Sequence, residues 1–191
     1  MVAAKRASAT PTSVHQLKVT LLGIRPPIWR RIQVPSGVTL AKLHDIIQLG
    51  MGWHHSHLHQ FQAGDTFYGD PTTLAELDVR SERSARLNQV APSKGSRLRY
   101  EYDFGDSWEH EVLVEAVLPA ESGVRYPICL TGRRACPPED CGGIWGYDEL
   151  LAILRDPAHE ERESMVEWLG EPFDPEAFNL EEVNRRLAAV R

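Results

Sequence analysis

The chain is poor in cysteine. Its 191 residues hold three, Cys129, Cys136 and Cys141, and no pair is spaced as C-x-x-C. That excludes a disulfide framework and the tight metal knuckle, and leaves thiols or widely spaced metal ligands. Long hydrophobic runs are also missing, so no segment reads as a membrane span. The opening Met-Val-Ala-Ala-Lys-Arg-Ala-Ser lacks the apolar stretch of a signal peptide. These absences predict a cytoplasmic protein with no membrane partner. There is no Walker phosphate loop and no G-x-S-x-G elbow, which removes support for nucleotide-hydrolase and lipase-like readings. Asp103-Phe104-Gly105 matches the kinase tripeptide, but no glycine-rich phosphate loop accompanies it. Positive charge is in deficit as well. There are 21 Lys and Arg against 27 Asp and Glu, a formal net charge of -6. Such a molecule is not built as a whole to coat nucleic acid or anionic lipid.

What is present is an ordinary globular composition, 42% hydrophobic and 25% charged, in a length that suits one domain able to bury its own core. Residues 1–12 read as a flexible tail and 13–191 as a single domain. Leu17, Val19 and Leu21 alternate with polar neighbours, and Ile28, Arg30, Ile32 and Val34 do the same after Arg25-Pro26-Pro27, so two strands form a hairpin. Thr39 can cap a helix to about Leu49 that turns Leu43, Ile46 and Ile47 inward. A third strand is expected at 57–62. Strand–strand–helix–strand is a β-grasp-like opening, and the fold class is α+β with a mixed sheet.

Residues 70–97 look like loop, with a short helix expected at 72–77. Leu98, Tyr100, Tyr102 and Phe104, then Trp108, His110, Val112 and Val114, alternate on either side of Gly105-Asp106-Ser107, the clearest hairpin in the chain. Residues 118–146 are rich in Pro, Gly and Cys and show no period. Helices are expected at 147–154, around Met165 to Leu169, and from Asn179, where Asn179 and Glu182 resemble a capping box.

Four segments carry a resemblance. They are Ile28-Trp29-Arg30-Arg31; Met51-Gly52-Trp53 with His57-Leu58-His59-Gln60-Phe61; Tyr102-Asp103-Phe104-Gly105-Asp106-Ser107-Trp108-Glu109-His110; and Tyr126-Pro127-Ile128-Cys129-Leu130-Thr131-Gly132 running to Cys136-Pro137-Pro138-Glu139-Asp140-Cys141-Gly142-Gly143. Together they resemble the plasmid pRiA4b ORF-3-like family over residues 14–190. The resemblance implies a compact prokaryotic α+β domain associated with plasmids or mobile elements. It implies no activity and no catalytic residues.

The candidate chemistry lies in histidines and cysteines. His55, His57 and His59 are two apart and share a face if they lie on a strand. They are either a chelating set or a polar strand edge. His110 shares the inward face of Val112 and Val114, and is either a satisfied core histidine or a ligand. Cys129, Cys136 and Cys141 sit on a loop stiffened by proline and glycine, as packed thiols or as thiolates near His110. The metal reading takes His57, His59, His110, Cys129 and Cys136 as candidate ligands, Cys141 in reserve, and zinc as the ion. Asp140 is left as an oxygen ligand or acid/base group, whereas Glu139 is assigned to the dipole of the following helix. Arg80, Arg83, Arg86, Lys94, Arg97 and Arg99 face Glu82 alone in their stretch. Arg97 and Arg99 are the candidate phosphate contacts if nucleic acid is a partner. The competing account pairs them internally, with Glu101, Asp103 or the acidic C-terminal helices. Two functions follow: a non-enzymatic binding or accessory module with a structural zinc site, or a metal-dependent hydrolase of phosphate or acyl substrates.

Overall fold

A computed structural model describes residues 12–74 and 77–190. Eight strands form one sheet. They are β1 (Ser13–Leu21), β2 (Ile28–Pro35), β3 (His59–Ala63), β4 (Thr66–Gly69), β5 (Val79–Ser81), β6 (Arg97–Tyr102), β7 (Trp108–Pro119) and β8 (Ile128–Arg133). Their order across the sheet is β5-β4-β3-β6-β7-β1-β2-β8. Among the described residues only β4 and β5 pair in parallel, so the sheet is mixed and the fold α+β. The helices are α1 (Leu40–Met51), α2 (Leu87–Val90), α3 (Gly143–Arg155), α4 (Arg162–Leu169) and α5 (Leu180–Leu187). None of these helices is long and apolar enough to cross a membrane.

The strand–strand–helix–strand opening is present, but β3 does not join the first hairpin, because β6 and β7 stand between it and β1. The hairpin of β6 and β7 forms in register Tyr100↔His110 and Leu98↔Val112. Alternation puts Leu98, Tyr100, Tyr102, Trp108, His110 and Val112 inward, all buried. Thr39 caps α1 by accepting from Lys42 N at 3.2 Å. The helix runs two residues beyond the predicted end and closes at Gly52, whose φ of 108° suits glycine. Leu40, Leu43, Ile46 and Ile47 on α1 join one contiguous core with residues of β1, β2, β6, β7 and α5. Asn179 caps α5 by accepting from Glu182 N at 3.0 Å, as its sequence predicts.

The other face of the sheet stays open. It carries ion pairs instead of a second layer: Arg97 Nε to Glu111 at 3.0 Å, Arg99 Nη1 to Glu109 at 2.7 Å, and Arg31 on both oxygens of Glu115. Lys18 and Arg31 lie over the Trp29 ring.

Three strands were not expected. β4 and β5 are four and three residues long, and β8 lies inside the Pro/Gly/Cys region. β8 is an edge strand, and α5 covers it. Asn184 Oδ1 accepts from Cys129 N at 2.8 Å, and Asn184 Nδ2 donates to the Cys129 carbonyl at 2.9 Å. The expected tail at 1–12 lies outside the described residues except for Thr12. So does part of the expected helix at 72–77, whose preceding residues form a turn.

Candidate functional site

At the end of the sheet where α1 meets β3, four histidines line one cleft of about 480 Å³, together with Asp45 and Glu82. His44 follows Leu43 on α1 and is buried. Its Nδ1 lies 2.8 Å from the Tyr100 hydroxyl, which also accepts from Gln48 Nε2 at 3.0 Å. Gln48 Oε1 in turn accepts from His55 N at 3.0 Å, and His55 Nδ1 lies 3.2 Å from His44 Nε2. The four residues thus close a ring of hydrogen bonds. Among its contacts, the Tyr100 O–H has one acceptor, His44 Nδ1. His44 therefore carries its own hydrogen on Nε2 and donates it to His55. Burial, helped by His59 and His55, pushes the His44 imidazole down to about 2, so it is neutral.

His59 stacks on His44 with ring centroids 3.5 Å apart and planes within 6°. Its Nε2 lies 2.8 Å from the buried carboxylate of Glu82. Asp45 Oδ1 stands 3.9 Å from His55 Nδ1. His44, Asp45 and His55 offer three ligand atoms that all lie within 4.8 Å of one another. Two imidazole nitrogens bound to one tetrahedral zinc at about 2.0–2.1 Å stand roughly 3.3 Å apart. The observed 3.2 Å matches that spacing.

His55 reaches this position with φ of 61°. It lies in the turn before β3, so His55, His57 and His59 do not share a strand face as expected. His57 points elsewhere. Its Nδ1 is 3.6 Å from Asp103 and its Nε2 is 3.2 Å from Asp140. These three also lie within chelating distance. The two carboxylates, however, meet opposite ring nitrogens. That suits an imidazole held between two acids better than one ion shared by three ligands. Asp103 and Asp140 both have φ near 60°, at 58° and 59°. Asp140 is thus an exposed partner of His57.

The expected cysteine–histidine set does not come together. Among the described residues, neither group of three potential ligands contains a cysteine, His59 or His110. Cys129 donates its Sγ–H to the Thr131 carbonyl at 3.4 Å, and burial raises its pKa. Burial likewise pushes Cys136 and Cys141 up to about 12, so all three are packed thiols. His110 is fully buried, with Nδ1 2.9 Å from the Trp108 carbonyl and its ring edge-on to Trp53. Desolvation lowers it to about 4, which makes it a neutral core histidine.

Glu139 was assigned to a helix dipole, but it ties down the histidine loop. It accepts from the Tyr102 hydroxyl at 2.6 Å, His54 N at 3.0 Å and Ser56 Oγ at 3.2 Å. Burial alone would raise its pKa, yet these hydrogen bonds outweigh burial and hold it below the usual value. Arg97 and Arg99 are exposed and paired with Glu111 and Glu109. Those partners lie diagonally on the next strand, not on the C-terminal helices or at Glu101 and Asp103. The residues missed in sequence are His44, Asp45, Gln48, Tyr100 and Glu82. A signal was available: His44 and Gln48 are one helical turn apart and interrupt the apolar stripe of α1 with polar, ring-forming partners.

Residues 13–182 match the model of the Plasmid pRiA4b ORF-3-like protein family. The chain is 39% identical over 177 residues to the uncharacterized protein y4hQ of Sinorhizobium fredii strain NGR234, covering 92% of this chain and 91% of that protein. The crystal structure of MM3350 from Methanosarcina mazei Go1, a protein of unknown function, is similar with a TM-score of 0.79 and 42% identity. That likeness covers 91% of this chain and 97% of the other. The chain belongs to the plasmid pRiA4b ORF-3-like family.

Proposed function

We propose that the protein is a cytoplasmic binding or accessory module that holds one divalent transition-metal ion, zinc foremost, on His44, Asp45 and His55. The observation that carries this reading is the convergence, on the wall of a solvent-open cleft, of two imidazole nitrogens at zinc-ligand spacing with a carboxylate oxygen within 4.8 Å of both. Neutral imidazole is the form that ligates, and burial keeps His44 neutral. Tyr100 holds the His44 ring at Nδ1, and Gln48 holds the Tyr100 hydroxyl and the His55 backbone N–H, so both histidines are braced from behind. An ion seated between the two rings takes the place of the hydrogen they share, and His44 stays neutral by holding its ring hydrogen on Nδ1 against the Tyr100 oxygen. Imidazole and carboxylate ligands favour zinc among available ions that need no redox partner. Arg97 and Arg99 are engaged by glutamates, which argues against nucleic acid as the partner.

A second reading, a metal-dependent hydrolase of phosphate or acyl substrates, is favoured by one feature. Three protein ligands leave a coordination position facing the cleft, as catalytic zinc sites do. The test of metal binding is elemental analysis of protein made without an affinity tag, followed by competition with a chelating dye. We expect one equivalent of zinc. Asp45→Ala and His55→Ala should each weaken binding on the order of 100-fold, since losing a ligand exceeds the effect of losing an outer partner. Unchanged affinity in both variants would refute the site.

A further inference from the structure

The helical end of the molecule exposes a surface that the histidine cleft does not use. Trp145, in the first turn of α3, is 79% exposed. Val166 and Trp168 on α4 are 44% and 47% exposed, and no residue of α4 is buried. A tryptophan open to that degree on a folded surface is unusual, because it forgoes most of its hydrophobic burial. Between α3 and α4 runs a groove of about 340 Å³. Its floor contains Leu150, Ile153 and Met165, Trp168 forms one wall, and the carboxylates of Glu149 and Glu161 stand on its rim. The surrounding chain is strongly acidic. Residues 156–176 hold eight carboxylates and a single arginine, Arg162.

We propose that this α3–α4 groove docks a cationic amphipathic segment of a partner protein. The apolar floor and Trp168 take the segment's hydrophobic side chains, and the acidic rim takes its lysines or arginines. The choice of occupant follows from charge complementarity. An acidic rim repels an acidic partner, gives a neutral one no attraction and steers a basic one. Aromatic anchors flanked by charge are the usual carriers of interface affinity. An amphipathic helix laid into an apolar groove is a recurring mode of peptide recognition. This proposal does not depend on the metal site, which lies on other elements.

The test uses the full-length protein and two fluorescent synthetic helices of equal length, one of leucine and lysine, the other of leucine and glutamate. Anisotropy titration should show saturable binding of the lysine helix and at least tenfold weaker binding of the glutamate helix. Met165→Ala with Trp168→Ala should weaken the lysine helix by more than about tenfold, as loss of buried anchors does. Glu149→Lys with Glu161→Lys should do the same while leaving Met165 and Trp168 in place, and circular dichroism should show both variants folded. Raising salt should weaken binding, because the rim charges are exposed. Absence of saturable binding overturns the proposal. So does binding that survives both double variants. Sedimentation that shows a self-association abolished by Met165→Ala with Trp168→Ala would also overturn it, since a second copy would then be the occupant.

Discussion

In sequence the histidine tract and the cysteine loop read as parts of one zinc site, and the molecule treats them in opposite ways. Both are partly buried, and burial drives both kinds of side chain to the neutral form. For an imidazole, that leaves a lone pair able to ligate. For a thiol, it withholds the thiolate that a metal needs. His44 is pushed down to about 2, and Cys136 and Cys141 are pushed up to about 12. One physical effect therefore favours a metal at one place and disfavours it at the other. The cysteines pack against the core, whereas His44 and His55 are locked in a hydrogen-bonded ring beside open solvent.

The largest effect that tests this contrast is on acid stability. The unfolded chain takes up protons on its histidines near 6.5, while the folded chain resists until about 4 for His110 and about 2 for His44. Their contribution is fully present above 6.5 and is lost as pH falls toward those lower values. Each should cost about 1.4 kcal/mol per pH unit within its window. Urea unfolding at pH 7.5, 6.0 and 5.0 should show a progressive fall, and a flat profile would mean that these rings are solvated. A smaller effect concerns the support of the cleft. Tyr100→Phe removes the hydroxyl that orients His44, and zinc affinity should drop roughly tenfold with the ligands intact. Dye competition reads this directly, and an unchanged affinity would leave Tyr100 a packing residue only. The smallest effect is expected at the cysteines. Cys136→Ala or Cys141→Ala should change zinc affinity by less than about twofold on the burial argument. Both thiols are half-buried, and their raised pKa should make them react slowly with a disulfide reagent at neutral pH. A large loss of zinc in either variant would return the metal to the cysteine loop.

Much of the fold was legible because strict alternation dictates a half-buried strand. Leu98 to Val112 shows it, and the hairpin formed as read. β8 escaped because its partners supply the pattern that it lacks. Only Cys129 in it is buried, and Gly132 is there because a Cβ would meet the Phe178 ring at 2.6 Å. The site was half legible. His55 and His59 stood out as a tract, but His44 was hidden in a helix read for its apolar stripe. Glu82 was taken as the lone acid of a basic loop, although it is the buried partner of His59. Both depend on contacts across 11 to 23 positions of chain, which local periodicity does not encode.

The clasp of Asn184 on Cys129 has a consequence for how molecules of this protein meet. An outermost strand with free N–H and C=O groups is a template on which another chain can extend the sheet. Here one asparagine side chain imitates the backbone of an additional strand at that position, occupying the Cys129 donor and acceptor together. The helix that carries it lies over the strand as a lid against unwanted polymer growth. Asn184→Leu keeps a side chain of similar bulk but cannot answer either hydrogen bond. It should leave the core packing largely intact and raise the tendency to aggregate at high concentration, which light scattering on warming would detect.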